Sequence, residues 1–206
     1  ETHVISREIA KQLGQPNLRG FYITRVYPNT TAATADLKPG DFIVAVDGEK
    51  LSATDSGYDD ELATLIRQYD LGKKVELTVI RGTQELKVPV ELARSPRLKR
   101  EMKKYRNEVF EFTARELSFF DRVEEQWNQD QRGVLVEDVK SGSWAELGLL
   151  AGGDLILAVN GQPVDNVDAL RREMERIAAT REKAVVIKVL RGIHTSFLEI
   201  EPNWNS

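Results

Sequence analysis

Short apolar runs alternate along this chain with polar turns, and one arrangement of them occurs twice. The clearer copy runs Gly133-Val-Leu-Val-Glu-Asp-Val139, through Ser141-Gly-Ser-Trp-Ala145, to Gly153-Asp-Leu-Ile-Leu-Ala-Val-Asn-Gly161. The earlier copy runs Gly20-Phe-Tyr-Ile-Thr-Arg-Val26, through Pro28-Asn-Thr-Thr-Ala32, to Gly40-Asp-Phe-Ile-Val-Ala-Val-Asp-Gly48. Gly20 and Gly133, Gly40 and Gly153, and Gly48 and Gly161 are all separated by 113 residues, so the register holds without a gap. A repeat of that length predicts two copies of one domain rather than a solenoid. The apolar runs opened by glycine predict buried strands. Asp47-Gly48 and Asn160-Gly161 predict hairpin turns in which both central residues take positive φ.

The remaining pattern fills in each copy. Thr2 to Ile5 reads as a strand fragment, and Ser6 caps a short helix to Leu13. Asp59 to Tyr69 carries Leu62, Ile66 and Tyr69 on one face, which predicts an amphipathic helix. Val75, Leu77 and Val79 alternate with polar residues, and Leu86, Val88, Val90 and Leu92 return the chain. Pro89 places that returning strand at an edge or a bulge. In the second copy Val109 to Thr113 predicts a strand and Arg115 to Trp127 a helix. Asp165 or Asn166 caps a further helix with Leu170, Met174 and Ile177 on one face. Two strands then follow, about the Arg191-Gly-Ile-His194 turn. The fold class is mainly β with helices (α+β). The domains are 1–92 and 109–206, joined by a basic helical linker over 93–108.

Composition narrows the function classes. Across 206 residues there are no cysteines, so neither a disulfide framework nor thiolate chemistry is available. Net charge is −4. The basic residues cluster between Arg94 and Arg106, a run that reads as a solvated linker rather than a nucleic-acid surface. No apolar run reaches the length of a membrane span. The chain opens on Glu1 rather than Met, which leaves room for a removed upstream segment. The two histidines, His3 and His194, have no nucleophile elbow beside them. No Cys/His cluster has metal-ligand spacing, and no glycine-rich phosphate cradle opens a helix. No cofactor, metal or catalytic group is expected in these residues.

The order Gly-apolar-apolar-apolar, turn, Ala, Leu-x-x-Gly-Asp, apolar strand, Asn/Asp-Gly resembles the PDZ domain. Its duplication resembles the PDZ pair of bacterial HtrA (Deg) family serine proteases. The resemblance implies two PDZ-like domains, each a partly open antiparallel β-barrel or sandwich with two helices. It also implies capture of peptide or protein C-termini, or of extended segments, by strand addition beside a helix. The parent protein would be a periplasmic or secreted trypsin-like serine endopeptidase of the bacterial envelope. A non-catalytic scaffold that assembles subunits or partners, a homo-oligomer included, is the alternative.

The family's carboxylate-binding element maps onto Val109, Phe110, Glu111 and Phe112, with Thr113 next on the receiving strand. Val167 and Arg171 form the helix wall beside it. In the first copy the same mapping gives Glu1, Thr2, His3 and Val4, with Ile5 next on the receiving strand and Asp59 and Ala63 on the helix. Glu111 and His3 stand where the family usually has glycine. Glu111 is expected to disfavour positive φ and to repel a terminal carboxylate. Arg115 and Arg171 are expected to offset that charge in part.

Overall fold

The computed structural model describes residues 1–204. The chain divides into two compact units that meet between Ser95 and Pro96. The first contains β1 (Thr2–Val4), α1 (Arg7–Gln12), β2 (Phe21–Ile23), α2 (Thr31–Thr34), β3 (Phe42–Val46), β4 (Glu49–Lys50), α3 (Glu61–Ile66), β5 (Lys74–Arg81) and β6 (Gln84–Glu91). The second contains β7 (Lys104–Asn107), β8 (Phe112–Glu116), α4 (Phe119–Glu124), β9 (Val134–Val139), α5 (Trp144–Leu147), β10 (Leu155–Val159), β11 (Gln162–Pro163), α6 (Val167–Thr180), β12 (Val185–Arg191) and β13 (His194–Ile200).

Every strand pairing is antiparallel. The first sheet runs β1-β2-β3-β5-β6, with β4 on β3. The second runs β13-β12-β10-β9-β8-β7, with β11 on β10. Neither sheet closes into a barrel, and β6 lies at an edge, where Pro89 removes no ladder donor that another strand needs.

Local chemistry explains the elements. Ser6, Ser118 and Asn166 each accept a hydrogen bond from the backbone N–H three residues on, and so start α1, α4 and α6. Asp47-Gly48 and Asn160-Gly161 take φ of 47° and 83°, and 48° and 78°. These are the positive angles that the tight turns demand. Gly20 and Gly133 have φ of 120° and 135°, and a Cβ on either would collide with the facing strand, at the Ile43 or the Ile156 carbonyl oxygen. Each unit has its own core. In the first unit it holds Phe21, Ile23, Ile43, Val46, Leu65, Val75, Leu77 and Val79. In the second unit it holds Phe110, Phe112, Ile156, Leu170, Met174, Ile177 and Ile187.

Several expectations are corrected. The stretch expected to be a helical linker holds one 3-10 turn at Lys99–Glu101 and then β7. Four of its positive charges, on Lys99, Lys103, Lys104 and Arg106, pair with the second unit's acids. Lys99 pairs with Asp121 and Glu124, Lys103 with Asp168 at 2.6 Å, and Lys104 with Glu137 at 2.7 Å. Beneath the charge run lies a period of two: Tyr105 and Asn107 turn inward while Lys104 and Arg106 face out. The expected strand over 109–113 is instead the hairpin turn 108–111 followed by the start of β8. The helix expected from Arg115 starts at Phe119. Arg115 lies in β8, buried against Asp121 at 2.6 Å, so its charge hides a strand position. In α3 it is Leu65 that is buried, with Leu62 and Ile66 partly buried against the same core.

Candidate peptide-binding site

The strands expected to receive a peptide fall on β1 and β8. In the first unit Ile5 N–H bonds to Gly20 O, and Thr24 N–H bonds to Glu1 O. The β1–β2 register is Thr2 with Ile23, His3 with Tyr22 and Val4 with Phe21. Alternation therefore turns the backbone groups of Glu1, His3 and Ile5 toward β2 and those of Thr2 and Val4 outward. Among the described residues β1 has β2 as its one sheet neighbour.

The same logic identifies the counterparts in the second unit. Val4 faces Phe21 as Glu116 faces Val134, and Phe21 and Val134 follow the two equivalent glycines. Thr2 thus corresponds to Ala114 and Val4 to Glu116. Ser6 and Ser118, which cap α1 and α4, share this register. His3 corresponds to Arg115 rather than to Glu111, as first expected. Ile5 is a fully buried core residue packed with Ala10 and Leu18, not part of an open edge. Asp59 is exposed and precedes α3, whereas Ala63 is half-buried on it.

In the second unit the outer side of β8 is already paired. Strand β7 runs antiparallel to it, with Lys104 opposite Arg115, Tyr105 opposite Ala114, Arg106 opposite Thr113 and Asn107 opposite Phe112. Glu116 N–H bonds to Lys103 O at 2.9 Å. Helix α6 lies against both β7 and β8. The Arg171 guanidinium sits 5.6 Å from the centre of the Tyr105 ring, which meets Phe112 edge-on at 6.5 Å. The Tyr105 hydroxyl accepts a hydrogen bond from Asn107 Nδ2 at 3.0 Å. Burial holds the Tyr105 phenol above its ordinary range, against the lowering effect of Asn107. Lys103 holds the Asp168 carboxyl below the usual carboxylate range, although burial opposes it.

The turn expected to capture a carboxylate is also engaged. Asn107 Oδ1 accepts the backbone N–H groups of Val109 at 3.0 Å and of Phe110 at 2.7 Å. Glu111 has φ of 56°, the left-handed conformation that a glycine would adopt at no steric cost. Glu111 O accepts Lys140 N–H at 3.0 Å, and its carboxylate pairs with the Lys140 ammonium. The partner that offsets Glu111 is therefore Lys140, not Arg115 or Arg171. Arg115 is committed to Asp121 and Glu137.

The remaining expected residues separate by burial. Phe110, Phe112 and Val167 are core residues, each no more than 2% exposed, while Thr113 and Arg171 keep partial exposure. The structure brings Arg171 together with Phe112 through Tyr105, and Val167 turns away into the core. Tyr105 and Asn107 escaped notice in the sequence because the charge run around them read as linker. Their signal was the alternation.

Two family matches bracket these sites: a PDZ domain over residues 7–92 and a second PDZ domain over 120–190. The chain is 27% identical over 197 residues to the periplasmic serine endoprotease DegP of Escherichia coli (strain K12), covering 94% of this chain and 37% of that protein. It is 25% identical to the periplasmic pH-dependent serine endoprotease DegQ of the same strain, covering 94% of this chain and 39% of that protein. The chain thus spans well under half the length of these relatives. A solved HtrA-type protease AlgW with decapeptide aligns at 26% identity and a TM-score of 0.37, over 47% of this chain and 29% of that one. No helix among the described residues is long and apolar enough to cross a membrane. The chain belongs to the PDZ family, as a tandem pair of PDZ domains homologous to the PDZ region of HtrA-type periplasmic serine endoproteases.

Proposed function

We propose that this pair of domains is the substrate-recognition part of an HtrA-like serine endopeptidase of the bacterial periplasm. Its task is to capture C-terminal or extended peptide segments by strand addition. The observation that carries this reading is the outer side of β1. Thr2 and Val4 present N–H and C=O groups there at the spacing that an antiparallel peptide needs. Such a peptide gains its affinity from the backbone ladder and its selectivity from alternate side chains. Ala63 on α3 and Asp59 ahead of it are the candidate side-chain contacts.

Titration of the full chain with unrelated extended peptides, followed by backbone amide resonances, tests this. Thr2 and Val4 N–H signals are expected to move first, with micromolar to millimolar affinity, roughly −4 to −8 kcal/mol. Peptides that leave both signals in place up to millimolar concentration would refute the assignment.

A further inference from the structure

The second groove is not empty. Strand β7 lies where strand addition would lay a peptide, antiparallel to β8 and alongside α6. It satisfies the outward groups of β8, as the Glu116 N–H to Lys103 O bond shows. Its side chains also behave as a bound ligand's would. Tyr105 and Asn107 share one face. Tyr105 is edge-on to Phe112 with Arg171 over its ring, and Asn107 is buried with its amide oxygen on the turn N–H groups of Val109 and Phe110. Lys103, just ahead of β7, is anchored to Asp168 in the first turn of α6.

We propose that the groove between β8 and α6 is a peptide site which the chain fills with its own residues Lys104–Asn107, and that the external ligand able to replace them is an extended segment with an aromatic side chain over Phe112 and beneath Arg171. The inference rests on the strand-addition reading of the domains. The 108–111 turn tethers the resident strand to the site, so its effective concentration is at least millimolar and a free peptide competes at a disadvantage. Strand β7 is a four-residue edge strand with Lys104 and Arg106 exposed, and short edge segments are where a chain opens locally while the core stays folded. In this second domain an external peptide is received only after β7 leaves.

The test uses the full chain, wild type and a Tyr105→Ala, Asn107→Ala double variant. Both are titrated with a synthetic peptide of the sequence of residues 101–107 and with a version whose tyrosine is alanine. The variant is expected to bind the tyrosine peptide at least tenfold more tightly than wild type, with Glu116 and Ala114 N–H signals moving, and to bind it several-fold more tightly than the alanine version. A folded variant that binds no better than wild type, or that shows no preference for tyrosine, would overturn the proposal. If the variant fails to fold, hydrogen exchange of the wild type decides. Exchange at Glu116 N–H through local opening, faster than at the β10 amides, supports a displaceable strand. Exchange at Glu116 only at the rate of global unfolding shows a permanent one and ends the proposal. Thr2 and Val4 signals report the first unit in the same spectra, so a failure of strand addition there is read separately.

Discussion

The two units build the same scaffold with the same devices and then differ in the side chains beside β1 and β8. Gly20 and Gly133 let a strand pass close to Ile43 and Ile156, and both β3 and β10 carry a bulge at the same place. Asp41 and Asp154 are each 1% exposed. Asp41 takes Arg81 at 2.7 Å and caps Lys38 N–H, while Asp154 takes Arg191 at 2.6 Å and caps Ala151 N–H. The Gly-Asp of each copy is thus a buried clamp on the Arg-Gly turn two strands away, beyond the strand-entry punctuation it suggests in sequence. Against that common frame, β8 is covered on its outer side by β7. The second unit also has a buried Arg115–Asp121 pair beside its receiving strand, where the first has His3 stacked at the surface on Tyr22.

The largest expected effect breaks that asymmetry at its buried pair. Arg115→Ala leaves the buried Asp121 carboxylate with Ser118 and with Lys99 at 3.5 Å, a loss of at most about 3–5 kcal/mol. Chemical denaturation is expected to show the second unit's transition shifted and the first's unmoved. Equal shifts in both would mean that the units do not fold as separate cooperative bodies.

Next come the two glycines, which test the common scaffold. Gly20→Ala and Gly133→Ala each place a Cβ against a facing carbonyl at positive φ, and each is expected to cost its own unit more than about 2 kcal/mol. A glycine whose replacement leaves its unit's midpoint in place would show that the two close approaches are not equivalent.

Acid should separate the units more gently. Burial alone would raise the Asp121 carboxyl, but hydrogen bonds from Arg115 and Ser118 outweigh it and hold the group well below the usual carboxylate range. A depressed folded pKa contributes stability that is present above the unfolded value near 3.8 and is lost as pH falls below it. Asp41 is lowered in the same direction, with burial opposed by Arg81 and the Lys38 amide. Both units should weaken below about pH 4, the second more steeply, and Asp121→Asn should flatten the second unit's profile in that window. A second unit whose stability is level from pH 5 to pH 2 contradicts this assignment.

The smallest effect is at Glu111. Glu111→Gly relieves a left-handed conformation worth about 1–2 kcal/mol and gives up a surface pair with Lys140 worth 0–1, so the second unit should gain about 1 kcal/mol. A loss of stability would mean that the Lys140 contact outweighs the backbone strain.

Much of the fold was legible because it rests on short-range chemistry. The strands Phe42–Val46 and Leu155–Val159, the Asp47-Gly48 and Asn160-Gly161 turns, the caps Ser6 and Asn166 and the core face of α6 all follow from spacing along a few residues. The sites were less legible. Val109 to Phe112 fell on a turn and the first residue of β8, Phe110, Phe112 and Val167 proved to be core, and Asp59 fell outside α3.

By itself, then, the sequence determined the duplication, the PDZ-type order of elements and the α+β class, because alternation and turn propensity act within a window of residues. The tertiary structure alone decided which strand lies beside which. Three outcomes depend on that choice: β7 closing over β8, Asn107 taking the turn amides, and Arg115 burying its charge on Asp121. Each joins groups whose pairing is set by register and by the shared low-dielectric space between elements. There a charged residue becomes a core residue once its partner arrives, and no local pattern announces that partner.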